Sequence, residues 1–365
     1  MGNTQSAELA DSVFPVMENP LEVQKQMNIV TEFAASMGTT DTLLPPPGGT
    51  KRSRGSASLV SVVMPNLNNG NFIEGAIKSV LSQSYRNIEL LVIDNGSIDQ
   101  SVSIAEHLAR EDERVSLFDE PRRGVSHAIN AGLKKAAGDL VTIIASDDVY
   151  AEDKTRKQVE CLLDDEPSIS YTGGWYMDEL GRPYDMPRPW ARDGQKEPIR
   201  YDGMIFHELI NRTFWNDVFS ASFMYPKKCL EGREFDTSLV YGEDWDFHVR
   251  LSRSYPYRYI PEPLYGYRIH PGNTWAKGNE QRNLRNKIRI FEGWLRDFDN
   301  LTKEDRGTIM AQLFQATEEL EGSIGMIDVA IRHPRMAKMA WNRATASVRY
   351  RTRTLVPYRI RKALH

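Results

Sequence analysis

Cysteine is nearly absent: Cys161 and Cys229 are the only two in 365 residues. They have neither metal-ligand spacing nor the number needed for a disulfide framework, so a reducing compartment is the simplest setting. No apolar run approaches the roughly 20 residues of a membrane span. The stretch 1–11 is polar and lacks the apolar core of a secretory signal. Met1-Gly2-Asn3-Thr4-Gln5-Ser6 fits a loose myristoylation pattern, too short to carry an assignment. No Gly-x-Gly-x-x-Gly turn follows the first strand pattern. Pro65-Asn66-Leu67-Asn68 stands there instead, which argues against a dinucleotide-dependent oxidoreductase. Internal repeats are missing too. Acidic residues are absent from Val329 to His365, where ten Lys and Arg gather, from Arg332 to Lys362. The net charge of −4 therefore hides a tail of +10 and a body of −14.

At 40% hydrophobic and 26% charged the chain can bury a sizeable core. Residues 1–57 read as an extension. Asn19-Pro20 opens a candidate helix that stops at Gly38, and the stretch from Leu44 to Ser56, rich in Pro, Gly, Ser and basic residues, reads as a linker. From Leu59 strands and helices alternate. Strands are expected at 59–64, 88–93, 115–118 and 140–144, with helices at 71–84, 100–110 and 125–137 between them. Near-continuous apolar strands separated by helices imply an α/β fold with a mostly parallel sheet covered on both faces. A helix near 153–163, a strand at 169–172, an irregular stretch at 173–200 and a strand-like segment at 220–225 follow. Beyond Asn273 the pattern is helical: Leu284, Ile288, Phe291, Trp294 and Leu295 share one face, and Ile309, Leu313, Leu320, Ile324 and Ile327 another.

Five segments could carry chemistry. Residues 139–148 end an apolar strand in two adjacent carboxylates, Asp147 and Asp148. Two anions at a strand end are tolerable when a cation or a hydrogen-bond network sits between them. Ligands bind at such strand ends in open α/β sheets, and Mg²⁺ takes one or two carboxylates plus substrate phosphates. A metal–diphosphate site is expected there. Val92–Asp99 is a strand running into an acid and a Gly/Ser turn; Asp94 is a candidate ligand for a base or ribose, Asp99 a helix cap. In Gly124–Gly132 a helix start lies after Arg122 and Arg123 and could face an anion, although a well-capped core helix explains it better. In Tyr241–Asp246, Asp244 at a helix start is a candidate general base, and Asp246 with Arg250 an i,i+4 pair. His270, after Tyr265-Gly266-Tyr267-Arg268, could reach a metal or phosphate or serve as a structural histidine.

Taken jointly and in order, residues 58–273 resemble the family 2 glycosyltransferases of the GT-A fold. Pro65-Asn66-Leu67-Asn68 is similar to their Pro-x-Tyr-Asn loop, Glu74–Tyr85 to their first helix and Val92–Asp99 to their Val-Asp-Asp-Gly-Ser segment. Gly124–Gly138 is similar to their Ala-x-Asn-x-Gly helix, Ser146-Asp147-Asp148 to the end of Asp-x-Asp-Asp, Gly242-Glu243-Asp244 to their base motif and Tyr267–His270 to a closing segment. Three departures stand out: Leu67 in place of a base-stacking tyrosine, Asn95 in place of the second acid and Ala145 in place of the first metal-motif acid. The resemblance implies a GT-A domain at 58–275 between an extension at 1–57 and a helical C-terminal region at 276–365. It implies an inverting, hexosyltransferase-type enzyme dependent on Mn²⁺ or Mg²⁺, with Asp244 as base. Pro65, Asn68, Asp94, Asn130 and Asp147 would hold the donor, and Asp148 and His270 the metal.

The partners so implied are a nucleoside diphosphate sugar, UDP first among the nucleotides, and a carbohydrate or lipid-linked acceptor in bacterial surface polysaccharide or glycoconjugate synthesis. The aromatic stretch at 175–190 and the segment 206–222 would shape the acceptor cleft, although core packing suits Trp215 and Phe219 at least as well. A catalytically silent nucleotide-sugar-binding or scaffold protein is the alternative, with Asn95 and Ala145 as its symptoms. The basic tail has a modest apolar stripe from Met336 to Val348 and suits an anionic membrane surface, giving a cytoplasmic, peripheral location; a solvated tail or a dimer contact suits it equally. Nucleic acid is not expected, because the acidic body would repel it.

Overall fold

Val60, Val62 and Met64 point into one apolar layer and Val63 into another, so the first strand is buried on both faces. This alternation of side chains with a period of two places helices above and below the sheet. The computed structural model describes residues 58–163, 166–184, 201–211, 219–273 and 280–332, with side chains up to residue 320. The expected N-terminal helix, the linker, the tail stripe, Trp190 and Trp215 lie outside the described residues.

Four strands alternate with three helices: β1 (Val60–Asn66), α1 (Ile73–Leu81), β2 (Ile88–Asp94), α2 (Ser101–Glu111), β3 (Val115–Asp119), α3 (Val125–Lys135) and β4 (Leu140–Ile143). There follow β5 (Val149–Tyr150), α4 (Lys154–Cys161), β6 (Ile169–Met177), α5 (Phe206–Asn211), β7 (Met224–Pro226), α6 (Glu243–Ser252), β8 (Tyr257–Arg268), α7 (Glu280–Asp297) and α8 (Lys303–Arg332). The eight strands form one sheet in the order β3-β2-β1-β4-β7-β6-β8-β5. The first four pair in parallel, β7 lies antiparallel to β4 and β6, and β8 runs parallel to β6. The chain order reverses at β1, which has β2 on one side and β4 on the other, and a crevice for ligands opens at such a point.

Gly132 shows how tightly the helices lie: a Cβ there would come within 2.3 Å of Val63 Cγ1. The core on the α3 side also takes in Leu284, Ile290, Phe291, Trp294 and Leu295 from α7 and Ile309, Met310 and Leu313 from α8. The C-terminal helices therefore share one core with the sheet.

Three elements depart from expectation. The stretch expected to be irregular from Gly173 begins as strand, because β6 continues to Met177 along β8 through register shifts around Gly173. Such shifts break the two-residue alternation that marks a strand in sequence. The segment expected at 220–225 is strand only over Met224–Pro226. β8 runs through Pro261 and Pro263, which sequence patterns place outside strands.

Candidate active site

Asp94 ends β2 and is buried. Its Oδ1 accepts from Asn66 Nδ2 at 2.9 Å and Ser97 Oγ at 2.6 Å, and its Oδ2 from the Gly96 and Ser97 amides at 3.0 and 2.9 Å. Four donors saturate the carboxylate, so Asp94 builds the turn after β2. Asn68 joins that turn: Ile98 N donates to its Oδ1 at 2.8 Å and its own amide donates to Ser97 Oγ at 2.9 Å. Pro65 lies beside Ile93 in the β1–β2 ladder. Asn95 is spent as well. Its Nδ2 donates to the carbonyls of Glu120 and Arg122 at 2.9 and 2.7 Å, while Oδ1 accepts from Gly124 N at 2.7 Å. Asn130 grips the backbone of Phe235 in both directions, each bond 2.9 Å, and so ties α3 to the segment that leads into α6.

The paired acids divide their surroundings. Asp148 is 2% exposed. Its Oδ2 accepts a hydrogen bond from Tyr265 OH, and its Oδ1 accepts from Arg268 N at 2.8 Å. Burial, and then the charge of Asp147, push its carboxyl well above the usual range. Asp147 is the more exposed member. Its Oδ2 faces His270 Nε2 at 2.9 Å and Asn273 Nδ2 at 3.4 Å. Gly272 N donates to His270 Nδ1 at 3.1 Å, which places the ring proton on Nε2, toward Asp147. Arg268 Nε donates to the Asp147 carbonyl at 2.7 Å, and its Nη1 reaches the carbonyls of Asp178 and Glu179. The Arg268 guanidinium lies over the Phe72 ring, 5.0 Å from its centroid, and the His270 ring meets Phe72 at 4.7 Å, tilted by 51°. Asn69 Nδ2 donates to Ser146 Oγ at 2.8 Å. The β1, β2 and β4 ends are thus joined by a continuous hydrogen-bonded loop system that holds Asp94 and Asp147 on one edge of the sheet.

Asp244 stands in the first turn of α6, half-buried, beside the equally half-buried Glu243. Gly242 caps the helix at φ 77°. Trp245 N donates to Asp244 Oδ1 at 2.7 Å, and Ser220 donates to its side chain. Desolvation raises the Asp244 carboxyl above its ordinary value; desolvation and then the Asp244 charge push Glu243 up to about 8. Tyr225, which pairs with Val141 of β4, feels the charge of Asp244. Asp246 pairs with Arg250 at 2.8 Å, as the i,i+4 spacing predicts. Among the described residues no three His, Cys, Asp or Glu side chains gather as a metal cage. A groove of about 480 Å³ between α1 and α2, lined by Glu74, Lys78, His107 and Glu111, contains none of these acids.

Residues 61–222 match the family model for Glycosyl transferase family 2. Over that stretch, less than half of its length, the chain is similar to glycosyltransferase family 2. An uncharacterized glycosyltransferase of Haemophilus influenzae is 44% identical over 106 residues, 29% of this chain and 42% of that protein. The putative teichuronic acid biosynthesis glycosyltransferase TuaG of Bacillus subtilis is 34% identical over 128 residues, 35% of this chain and 51% of its own length. The matches thus span about half or less of these relatives. The fold is similar to that of S. aureus TarS 1–349, solved in complex with UDP-GlcNAc. The TM-score is 0.54 at 16% identity, over 77% of this chain and 79% of that one. The likeness supports the GT-A architecture expected from the motifs.

In this chain the motifs assign roles to the acids and His270, but none to Tyr265, Arg268 and Asn273, which stand in the same segment as His270. A signal was present, since a buried acid pair needs donors and three of them lie within nine residues of one another. Which donor meets which acid, more than 115 positions away in the chain, is decided by the pairing of β5 with β8.

Proposed function

We propose that this chain is an inverting glycosyltransferase that moves a sugar from a nucleoside diphosphate sugar, UDP first among the nucleotides, to an acceptor hydroxyl in polysaccharide synthesis. The observation that carries the reading is the division of labour at the end of β4. Asp148 is held by Tyr265 and Arg268, so Asp147, the more exposed of the two and oriented by His270 and Asn273, is the acid placed to meet a ligand near the point where the strand order reverses. The name of TuaG supports the polysaccharide context, and the UDP-GlcNAc held by TarS supports the donor class.

The donor set fits a hard divalent ion through one carboxylate. Asp147 would hold Mg²⁺ or Mn²⁺ together with the donor diphosphate, and the ion would offset charge on the departing diphosphate. In this reading Asp147 takes the role that the motif alone gives to Asp148. Ligation through His270 Nε2 needs the ring proton on Nδ1, where Gly272 N already points, so His270 orients Asp147. Asn66, Asn68 and Asp94 shape the loop that receives the nucleoside. Asp244 takes the acceptor proton as the hydroxyl attacks the anomeric carbon from the face opposite the diphosphate; one displacement inverts that centre. A general base contributes roughly 10²–10⁴-fold. D244N is therefore expected to lower kcat by about that factor with donor affinity kept, and D147N to weaken metal-dependent nucleotide binding. Nucleoside diphosphate release and isothermal titration measure the two; full activity in either variant removes that residue from the mechanism. The basic tail would dock the enzyme on anionic lipid: deleting residues 333–365 should abolish salt-sensitive sedimentation with phosphatidylglycerol vesicles.

A further inference from the structure

Asp246 lies two residues beyond Asp244 on α6 and is 8% exposed. One oxygen accepts from Arg250 Nε at 2.8 Å; the other accepts from the indole Nε1 of Trp294, on α7, at 2.9 Å. Trp294 is 1% exposed. Its ring crosses that of Trp245, the residue directly after Asp244, at a centroid distance of 5.0 Å and 83°. Trp245 gives its own indole N–H to the Leu209 carbonyl of α5 at 3.0 Å. Just before the acids, Ile290 of α7 reaches within 3.1 Å of where a Cβ on residue 242 would lie, so Gly242 both makes the turn and admits Ile290. Helix α7 therefore touches α6 immediately before and immediately after Glu243 and Asp244.

We propose that Trp294 is a positioning residue for the transfer reaction, holding α6 through Asp246 so that the Asp244 carboxylate stands where the acceptor hydroxyl arrives. The proposal rests on the reading of Asp244 as base. A buried indole could satisfy its N–H with any nearby carbonyl. Here it is directed to a carboxylate that Arg250 already partners on the other oxygen, on the helix that carries the base. Removing the N–H leaves Asp246 Oδ1 without its buried donor, and α6 must shift to find another. Small displacements of a catalytic group are costly, since a 1 Å misplacement can lose about 10²-fold.

The test is W294F, which keeps an aromatic ring and removes the N–H, measured alone and on the D244N background. Turnover of W294F is expected to fall about tenfold, with donor affinity within twofold of wild type and the melting transition still cooperative. On the D244N background W294F should cost nothing further, because it acts through the base. Wild-type turnover in W294F, or an equal loss on the D244N background, overturns the proposal. If W294F does not fold, D246N takes its place: the same tenfold loss supports the proposal, and wild-type turnover or an equal loss on the D244N background overturns it. A wild-type chain that releases no nucleoside diphosphate from UDP-, GDP- or dTDP-sugars overturns the glycosyltransferase reading and this proposal with it; an active wild type beside a fully active W294F overturns this proposal alone.

Discussion

Asn95 stands where the family pattern places an acid, and its surroundings require the amide. Its Nδ2 donates to two carbonyls while its Oδ1 takes the Gly124 amide. An aspartate there would turn a buried oxygen toward two carbonyl oxygens. N95D is expected to destabilise the fold by about 1–3 kcal/mol, read as a lower urea midpoint at unchanged slope. The departure at Asn95 is thus a change in how the β2 and β3 ends are tied, which favours an active enzyme over a silent relative. Glu243 leads to a second expectation. With its carboxyl pushed up to about 8, it is protonated at neutral pH, so E243Q should keep near-wild-type turnover at pH 7. Above pH 8 the wild type places a second charge beside Asp244. The pH–rate profile of E243Q should lack the change that this ionisation causes. These single-residue roles were only partly legible in the chain. The acids announced themselves by position at strand ends, whereas the saturation of Asp94 and the two-way grip of Asn130 on Phe235 depend on partners 28 and 105 positions distant.

At the scale of elements, the parallel half was readable because its apolar strands and amphipathic helices alternate with clear periods. The far half was not: β6 changes register at Gly173, β8 includes prolines, and β5 is two residues long. The junction of α5 and α8 shows how such elements are fastened. His207 Nδ1 meets Asp305 Oδ1 at 2.7 Å; at the start of α8 the Thr302 hydroxyl accepts from Asp305 N at 3.0 Å, capping the helix, and donates to Asp305 Oδ2 at 2.6 Å. Asp305, through its hydrogen bond and then its charge, together with Glu304 and Glu208, raises the His207 pKa above 6.5. A raised value means that the charged histidine is favoured by folding. Its contribution is complete below the unfolded value and disappears as pH rises through the folded one. The melting temperature should therefore decline as pH rises above about 6.5, and H207N should remove that part of the slope.

For the whole molecule, the shared core decides what can be removed. Leu284, Ile290, Phe291, Trp294, Leu295, Ile309, Met310 and Leu313 are all buried and pack in the same cluster as Val63 and Ile93. A chain ending at Asn273 would expose that face, at about 1.5–3 kcal/mol for each large side chain uncovered. It should lose cooperative melting and bind hydrophobic dyes. The sequence marks α7 and α8 as helices with apolar faces, but the surface they cover becomes visible only when α5 and α6 are placed beneath them.

The donors to Asp147 and Asp148 come from β8 and the turn after it, 117 to 126 residues later in the chain. A ribosome adding about 5–20 residues per second needs roughly 6–25 s to cover that gap. Throughout the interval the nascent polypeptide exhibits two neighbouring anions with no tyrosine, arginine or histidine to restrain them. The two acids therefore gain their partners late in synthesis, and a product released before residue 265 lacks Tyr265, Arg268, His270 and Asn273 altogether.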